Sequence, residues 1–182
     1  MSSGHEMARK RAAELAVERP EISRSLTLEW QDPMASAGEG MKLAGLDYMI
    51  AVKEGKVPPP PIAVVMNMAP VEVEEGRAVF AALPGEEHYN PIGVVHGGFM
   101  ATLLDSVAGC AVHTTLALGE AYTTLTLEVK NLRPLTRDTG VVRAEGTVEY
   151  RGRRQATADA KLYAEETGKL LASATSTCLI MN

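Results

Sequence analysis

Residues 88–116, H-Y-N-P-I-G-V-V-H-G-G-F-M-A-T-L-L-D-S-V-A-G-C-A-V-H-T-T-L, hold the side chains best suited to carbonyl chemistry. His96, Gly97 and Gly98 stand where an apolar helical run begins. The first N–H groups of a helix have no partner within it, and its dipole favours negative charge there. Such a mouth can hold an anion or a developing oxyanion, and glycine lets a ligand approach the backbone. Asp105 is the only acid between Glu87 and Glu120. An unpaired carboxylate in an apolar run is costly, so its presence there calls for an explanation. It follows Gly97 by eight residues, a little over two turns, which would put a carbonyl held at the helix mouth near a carboxylate on the same side. The plain alternatives are a turn and helix start for the glycines, and an Asp that caps or braces a neighbouring subunit.

Other chemistry is weaker. Cys110 and His113 could face one another three residues apart, but a Cys and His in an apolar helix are more often packing. His88, His96, His113 and Asp105 have no spacing that would anchor zinc, and neither G-x-S-x-G nor G-x-x-x-x-G-K-[ST] occurs. A metal site is not expected. Seven cations, Lys130, Arg133, Arg137, Arg143, Arg151, Arg153 and Arg154, face three acids, Asp138, Glu145 and Glu149, within 25 residues. Alone they would make a solvated strand surface. Beside an oxyanion site they fit a ligand with phosphates at one end and a reacting carbonyl at the other, the shape of a coenzyme A thioester.

The elements that must position these groups follow from periodicity. Helical spacing covers His5 to Arg19 and Met41 to Glu54, stopped by Pro20 and Gly55, with an irregular stretch through Trp30 and Pro33 between them. Four prolines, Pro58 to Pro61, favour a stiff extended link. The chain is therefore divided into an N-terminal helical extension and linker, 1–57, and a main domain, 58–182. In that domain period-2 runs predict strands at Ile62 to Val73 and Arg77 to Leu83, paired through Glu74, Glu75 and Gly76. A long apolar helix runs from near Gly98 to Gly119. Four strands follow, at Tyr122 to Leu132, Val141 to Tyr150, Arg153 to Ala164 and Lys169 to Met181. Short turns suit antiparallel pairing, giving an α+β fold in which a curved sheet encloses one helix.

Of 182 residues, 46% are hydrophobic, 23% charged and 4% aromatic, with 18 Lys and Arg against 23 Asp and Glu for a net charge of -5. This is an ordinary globular composition, and the acidic balance with few aromatics argues against nucleic-acid binding. The run from Gly97 to Leu118 contains Asp105 and His113, so a buried helix is expected rather than a membrane span. Cys110 and Cys178 read as free thiols, and no secretory signal is evident in the first 20 residues, so a cytoplasmic protein is expected. With so few aromatics, any acyl pocket is expected to be lined by Met, Leu and Val.

The run N-P-I-G-V-V-H-G-G-x(4)-L-L-D-x-x-x-G, Asn90 to Gly109, resembles the PaaI-like acyl-CoA thioesterases of the hot-dog fold superfamily. The resemblance extends to T-L-T-L-E-V-K-N-L-R-P, Thr124 to Pro134, to R-G-R-R, Arg151 to Arg154, and to the lead-in L-D-Y-M-I-A-V-K-E-G-K-V-P-P-P-P-I-A. It implies a long helix wrapped by an antiparallel sheet, a homodimer with sites at the subunit interface, commonly a homotetramer, and no cofactor. Carried over by position, the Gly97 N–H polarises the thioester carbonyl, Asn90 assists, and His96 shapes the loop. Asp105 is then the general base or nucleophile, and its being Asp rather than Glu favours the PaaI-like side. Thr124, or Thr123 instead, would supply a water-positioning hydroxyl from the other subunit. Gly98 and the segments Asn131 to Thr136 and Tyr150 to Arg154 would bind substrate and coenzyme A, through Asn131, Arg133, Pro134, Tyr150, Arg151, Gly152, Arg153 and Arg154. A non-catalytic acyl-CoA sensor and a hot-dog hydratase or dehydratase are the other readings. Asp105 argues against the first, and the hydratase's His and acid context is not found. Residues 1–57 exceed the minimal pattern and either cap the acyl pocket or extend the oligomer interface.

Overall fold

The computed structural model describes residues 24–181; the helix expected over His5 to Arg19 lies outside them. Three short helices, α1 (Pro33–Gly40), α2 (Gly45–Lys53) and α3 (Pro61–Val65), lead into β1 (Met68–Glu74) and β2 (Arg77–Ala82). The long helix α4 (Gly97–His113) follows, and then β3 (Ala121–Asn131), β4 (Val142–Arg151), β5 (Gln155–Ala164) and β6 (Leu170–Met181). The strands form one antiparallel sheet in the order β1-β2-β4-β5-β6-β3, and the sheet wraps α4 as the α+β hot-dog plan requires.

The wrapping follows from side-chain size. Leu103, Leu104, Val107 and Val112 of α4 are fully buried, each contributing about 1.5–3 kcal/mol by leaving water. They meet a sheet face built largely of alanine: Ala144, Ala156, Ala158, Ala160, Ala172 and Ala174. Gly146 lies closer still, since a Cβ there would stand 2.4 Å from the Val107 carbonyl oxygen. Register shifts at Pro70/Glu72, Thr124/Thr126 and Val148/Tyr150 add the local twist that a curved sheet needs.

Four boundaries differ from expectation, each for an identifiable reason. The stretch around Pro33 is helical because Asp32 accepts from the Met34 N–H at 2.9 Å and Pro33 occupies the first turn. Residues 61–65 are a helix, not the start of β1: Pro61 opens it, and Asn67 at φ 46° turns the chain into the strand. Helix α4 stops at His113 rather than near Gly119. The hydroxyls of Thr114 and Thr115 donate to the carbonyls of Ala111 and Val112, at 2.6 and 2.7 Å, and the Thr114 hydroxyl also accepts from the Gly76 N–H at 2.8 Å.

Helix α2 begins at Gly45 rather than Met41 because that is where it docks. The Gly45 N–H donates to the Leu116 carbonyl at 2.9 Å, and a Cβ on Gly45 would lie 1.7 Å from the His113 carbonyl oxygen. Met49 is buried in the same core as α4, so the docking carries apolar area as well as a hydrogen bond. Gly45→Ala is therefore expected to lower stability by about 1–3 kcal/mol as α2 is forced off the end of α4. A thermal melt of the variant, unshifted from the native protein's, would contradict this contact.

Candidate active site

The loop before α4 is folded by the side chains expected to act there. The Asn90 amide oxygen accepts from the N–H groups of Ile92, at 3.0 Å, and Val94, at 3.3 Å, which leaves its NH2 group without a partner among the described residues. His96 is the N-cap of α4: its Nδ1 accepts from the Gly98 N–H at 2.8 Å. Gly98 is thereby occupied, and the Gly97 N–H is left without a hydrogen bond among the described residues, the donor that the helix dipole favours for an incoming carbonyl oxygen. A Cβ on Gly97 would stand 2.9 Å from Asn131 Nδ2, so the end of β3 lies beside the mouth.

Asp105 is half-buried on α4, and its Oδ1 accepts from the Thr124 hydroxyl at 3.1 Å. Both residues belong to one chain, which corrects the expectation that this hydroxyl reaches the carboxylate from another subunit. Thr124 and Tyr122 face inward while Thr123 lies exposed on the opposite face, so Thr124 and not Thr123 is the hydroxyl beside Asp105. The eight-residue interval between Gly97 and Asp105 also has a different meaning in three dimensions. It amounts to about 12 Å along the helix, too far for one chain's Gly97 and Asp105 to act on a single carbonyl.

A cavity of about 820 Å³ opens at Asp105 and Thr124 and runs along α4 past Ser106, Cys110 and His113. Its outer wall is α2 and the proline run, with Tyr48, Met49 and Val52, and Phe80, Met68 and Tyr122 complete the lining. The methionines and valines of the expected lining are there, but two tyrosines and a phenylalanine join them and no leucine does among the described residues. Sequence reasoning passed over Tyr48 and Tyr122. Tyr122 could have been found, since it stands two residues before Thr124 and shares its face. Burial, helped by the Asp105 carboxylate, pushes the Cys110 thiol up to about 12, so it stays protonated and is a poor nucleophile.

Burial lowers the His113 pKa below its ordinary 6.5. The unfolded chain therefore binds a proton that the folded protein resists, so this contribution to stability is full above about pH 6.5 and is lost as pH falls toward the folded value. The melting temperature of the native protein is expected to drop further between about pH 7 and pH 5 than that of His113→Phe. Equal drops would mean that His113 titrates alike in both states.

The cations do not act as one patch. Arg77 donates to Glu145 at 2.6 Å and pairs with Glu72 at 2.9 Å, and Arg143 also bonds Glu72, whose carboxyl is held below its ordinary range by Arg143 and then Arg77. Arg151 pairs with Glu120 at 2.7 Å and bonds the Gly152 carbonyl, and so braces its own turn. Arg133 bonds the Leu170 carbonyl near the exposed Pro134 and Asn131. Arg153 and Arg154 remain exposed without ion pairs among the described residues, beside Tyr150, which is 62% exposed. Strand register places that turn at the start of β3, through Gln155 opposite Leu179 and Leu179 opposite Thr123, whereas Asn131 and Gly97 lie at its other end. Within one chain the two sets are roughly 30 Å apart along the strand, so one ligand could reach both only across two chains.

An antiparallel sheet wrapped on a central helix, with a carboxylate and hydroxyl at a cavity and a free amide at the helix mouth, defines a hot-dog thioester hydrolase. Residues 92–171 match the family model described as the thioesterase superfamily. The phenylacetic acid degradation-related protein of Ralstonia eutropha JMP134 is 30% identical, with 72% of this chain and 98% of that one covered and a TM-score of 0.66. A variant of the phenylacetic acid degradation protein PaaI of Thermus thermophilus is 29% identical over 65% of this chain and 97% of its own, TM-score 0.59. Escherichia coli PaaI shares the fold at 20% identity, with 66% and 84% covered and a TM-score of 0.61. No curated protein sequence matches. The chain belongs to the thioesterase superfamily, on its PaaI-like side.

Proposed function

We propose that the protein hydrolyses an aryl-, short- or medium-chain acyl-CoA to the free acid and coenzyme A, without a metal or redox cofactor, in a homodimer whose sites combine two chains. The observation that carries this is the Asp105 carboxylate, held by Thr124 at the opening of an apolar cavity, with an unpartnered Gly97 N–H at the helix mouth. Thr124 donates to Oδ1, which leaves its lone pairs and Asp105 Oδ2 to hold one water between them. Asp105 takes a proton from that water as its oxygen attacks the thioester carbon, and the Gly97 N–H, with the Asn90 NH2, stabilises the oxyanion. Collapse of the tetrahedral intermediate breaks the C–S bond and expels the coenzyme A thiolate, which regains the proton.

The second chain is called for by distance. β3 is an edge strand whose outer side has no partner among the described residues, with Leu125 55% exposed on it. A two-fold axis through the middle of β3 would lay its Thr124 end beside the Asn131 end of a second copy. Gly97 and Asn90 of one chain would then face Asp105 and Thr124 of the other, and the free Arg153 and Arg154 would come toward the mouth to meet phosphates. A tetramer of two such dimers and a cytoplasmic location, which free Cys110 and Cys178 suit, belong to the same proposal. No helix among the described residues is long and apolar enough to cross a membrane.

The test is a thiol-release assay over aryl-, short- and medium-chain acyl-CoAs. Saturable release from at least one is expected, and none from any of them would overturn the proposal.

A further inference from the structure

The acyl cavity has a chemically distinct far end. Asp105, Ser106, Cys110 and His113 form one stripe of α4 along it, and the eight residues from Asp105 to His113 span about 12 Å. There the His113 ring lies between two tyrosines, with centroids 5.2 Å from Tyr48 and 5.7 Å from Tyr122. The Tyr48 hydroxyl is bonded to Ser36 Oγ at 3.0 Å. The Tyr122 hydroxyl sits over Gly109, where a Cβ would come within 2.5 Å of it, one turn short of His113.

Neither the Tyr122 hydroxyl nor either His113 nitrogen has a hydrogen-bond partner among the described residues, while both side chains line the cavity. They are not sealed defects of the core, since the only fully enclosed unpartnered side-chain atoms among the described residues are Arg151 Nε and Asp159 Oδ1. Open to water in the cavity, they are free to exchange it for a ligand group, and only a group that hydrogen-bonds in its turn replaces that water without loss.

We propose that His113 and Tyr122 bind an uncharged hydroxyl at the far end of the acyl group, so that the enzyme selects acyl chains ending in a hydroxyl about 10 Å from the thioester carbonyl. This rests on the acyl-CoA reading above and names its substrate class. A neutral imidazole offers one donor and one acceptor, and burial keeps His113 neutral and Tyr122 protonated, a set that matches a hydroxyl in either sense. A terminal carboxylate would meet the negative end of the α4 dipole beside a neutral imidazole, and the two lysines of the lining, Lys53 and Lys56, are exposed to solvent. A terminal methyl would leave both polar groups unanswered.

The experiment compares octanoyl-CoA with 8-hydroxyoctanoyl-CoA. Binding is measured by calorimetry on full-length Asp105→Asn, which removes turnover from the readout, and thiol release is measured separately on the native protein. The hydroxylated ester is expected to bind on the order of tenfold or more tightly, and adding His113→Phe should bring the two within about twofold. Should His113→Phe melt early, Tyr122→Phe, which deletes one oxygen and keeps the ring over Gly109, is expected to reduce the same ratio. Equal affinities on Asp105→Asn, or a preference that both variants keep, would overturn the assignment. A binding preference with no thiol release from either ester or from any of the wider acyl-CoA panel supports this end of the cavity and overturns hydrolysis instead.

Discussion

Asp105→Asn is expected to lower kcat/KM on the best acyl-CoA by about 100-fold or more, with the fold unchanged. The side chain keeps its size, and its amide oxygen can still accept from the Thr124 hydroxyl, the one hydrogen bond the Asp105 carboxylate makes among the described residues. Asp105 has no ion pair among the described residues, so nothing structural is lost with its charge. What disappears, on the proposed mechanism, is the capacity to take a proton from water, and with it the step that makes the nucleophile. Thr124→Val should lose less, about tenfold, because it misaligns a base that is still present. Native-like rates from Asp105→Asn at matched concentration and unchanged melting temperature would make Asp105 structural. Binding of acyl-CoA without turnover by the native protein would favour a sensor.

Much of this arrangement is legible in the sequence where a single physical rule governs. β5 reads correctly because Ala156, Ala158, Ala160 and Leu162 alternate with polar residues, and alternation means a strand with one buried face. Helix α4 begins where His96, Gly97 and Gly98 say it should, because capping is a local interaction. Residues 62–67 mislead because β-branched Ile62, Val64 and Val65 suit a strand, yet a proline in the first turn and the left-handed Asn67 decide otherwise. The Asp105 and Thr124 pair is recognisable by pattern, but their belonging to one chain depends on β3 pairing with β6 at the sheet edge. The same register sends Arg153 and Arg154 to the far end of β3 from Gly97, which no linear spacing reveals. The acyl cavity is less legible still. Its wall exists because Gly45 lets α2 sit on the end of α4, so Tyr48 and His113 meet through tertiary packing alone.

The proposed division of the site between chains has the sharper consequence. Gly97→Pro removes the proposed oxyanion donor and little else. Proline is tolerated at the first position of a helix, and His96 already holds φ -61° and ψ 138°, the extended conformation that precedes proline. The added Cβ would meet only the far end of the exposed Asn131 side chain. The variant is expected to fold and to lose about 100- to 1,000-fold in kcat. Gly97→Pro and Asp105→Asn are then each nearly inactive alone, and mixing them separates two geometries. If one carbonyl is served by Gly97 of one chain and Asp105 of the other, a mixed dimer holds one site with both defects and one with neither. Unfolding the two together in equal amounts and refolding them would pair chains at random, restoring about a quarter of native activity. If both groups serve from the same chain, every site in the mixture carries a defect and the activity stays at the level of the parents. The roughly 12 Å of helix between Gly97 and Asp105 favours the first outcome, because no side-chain rotamer of Asp105 can cross it to a carbonyl bound at its own helix mouth.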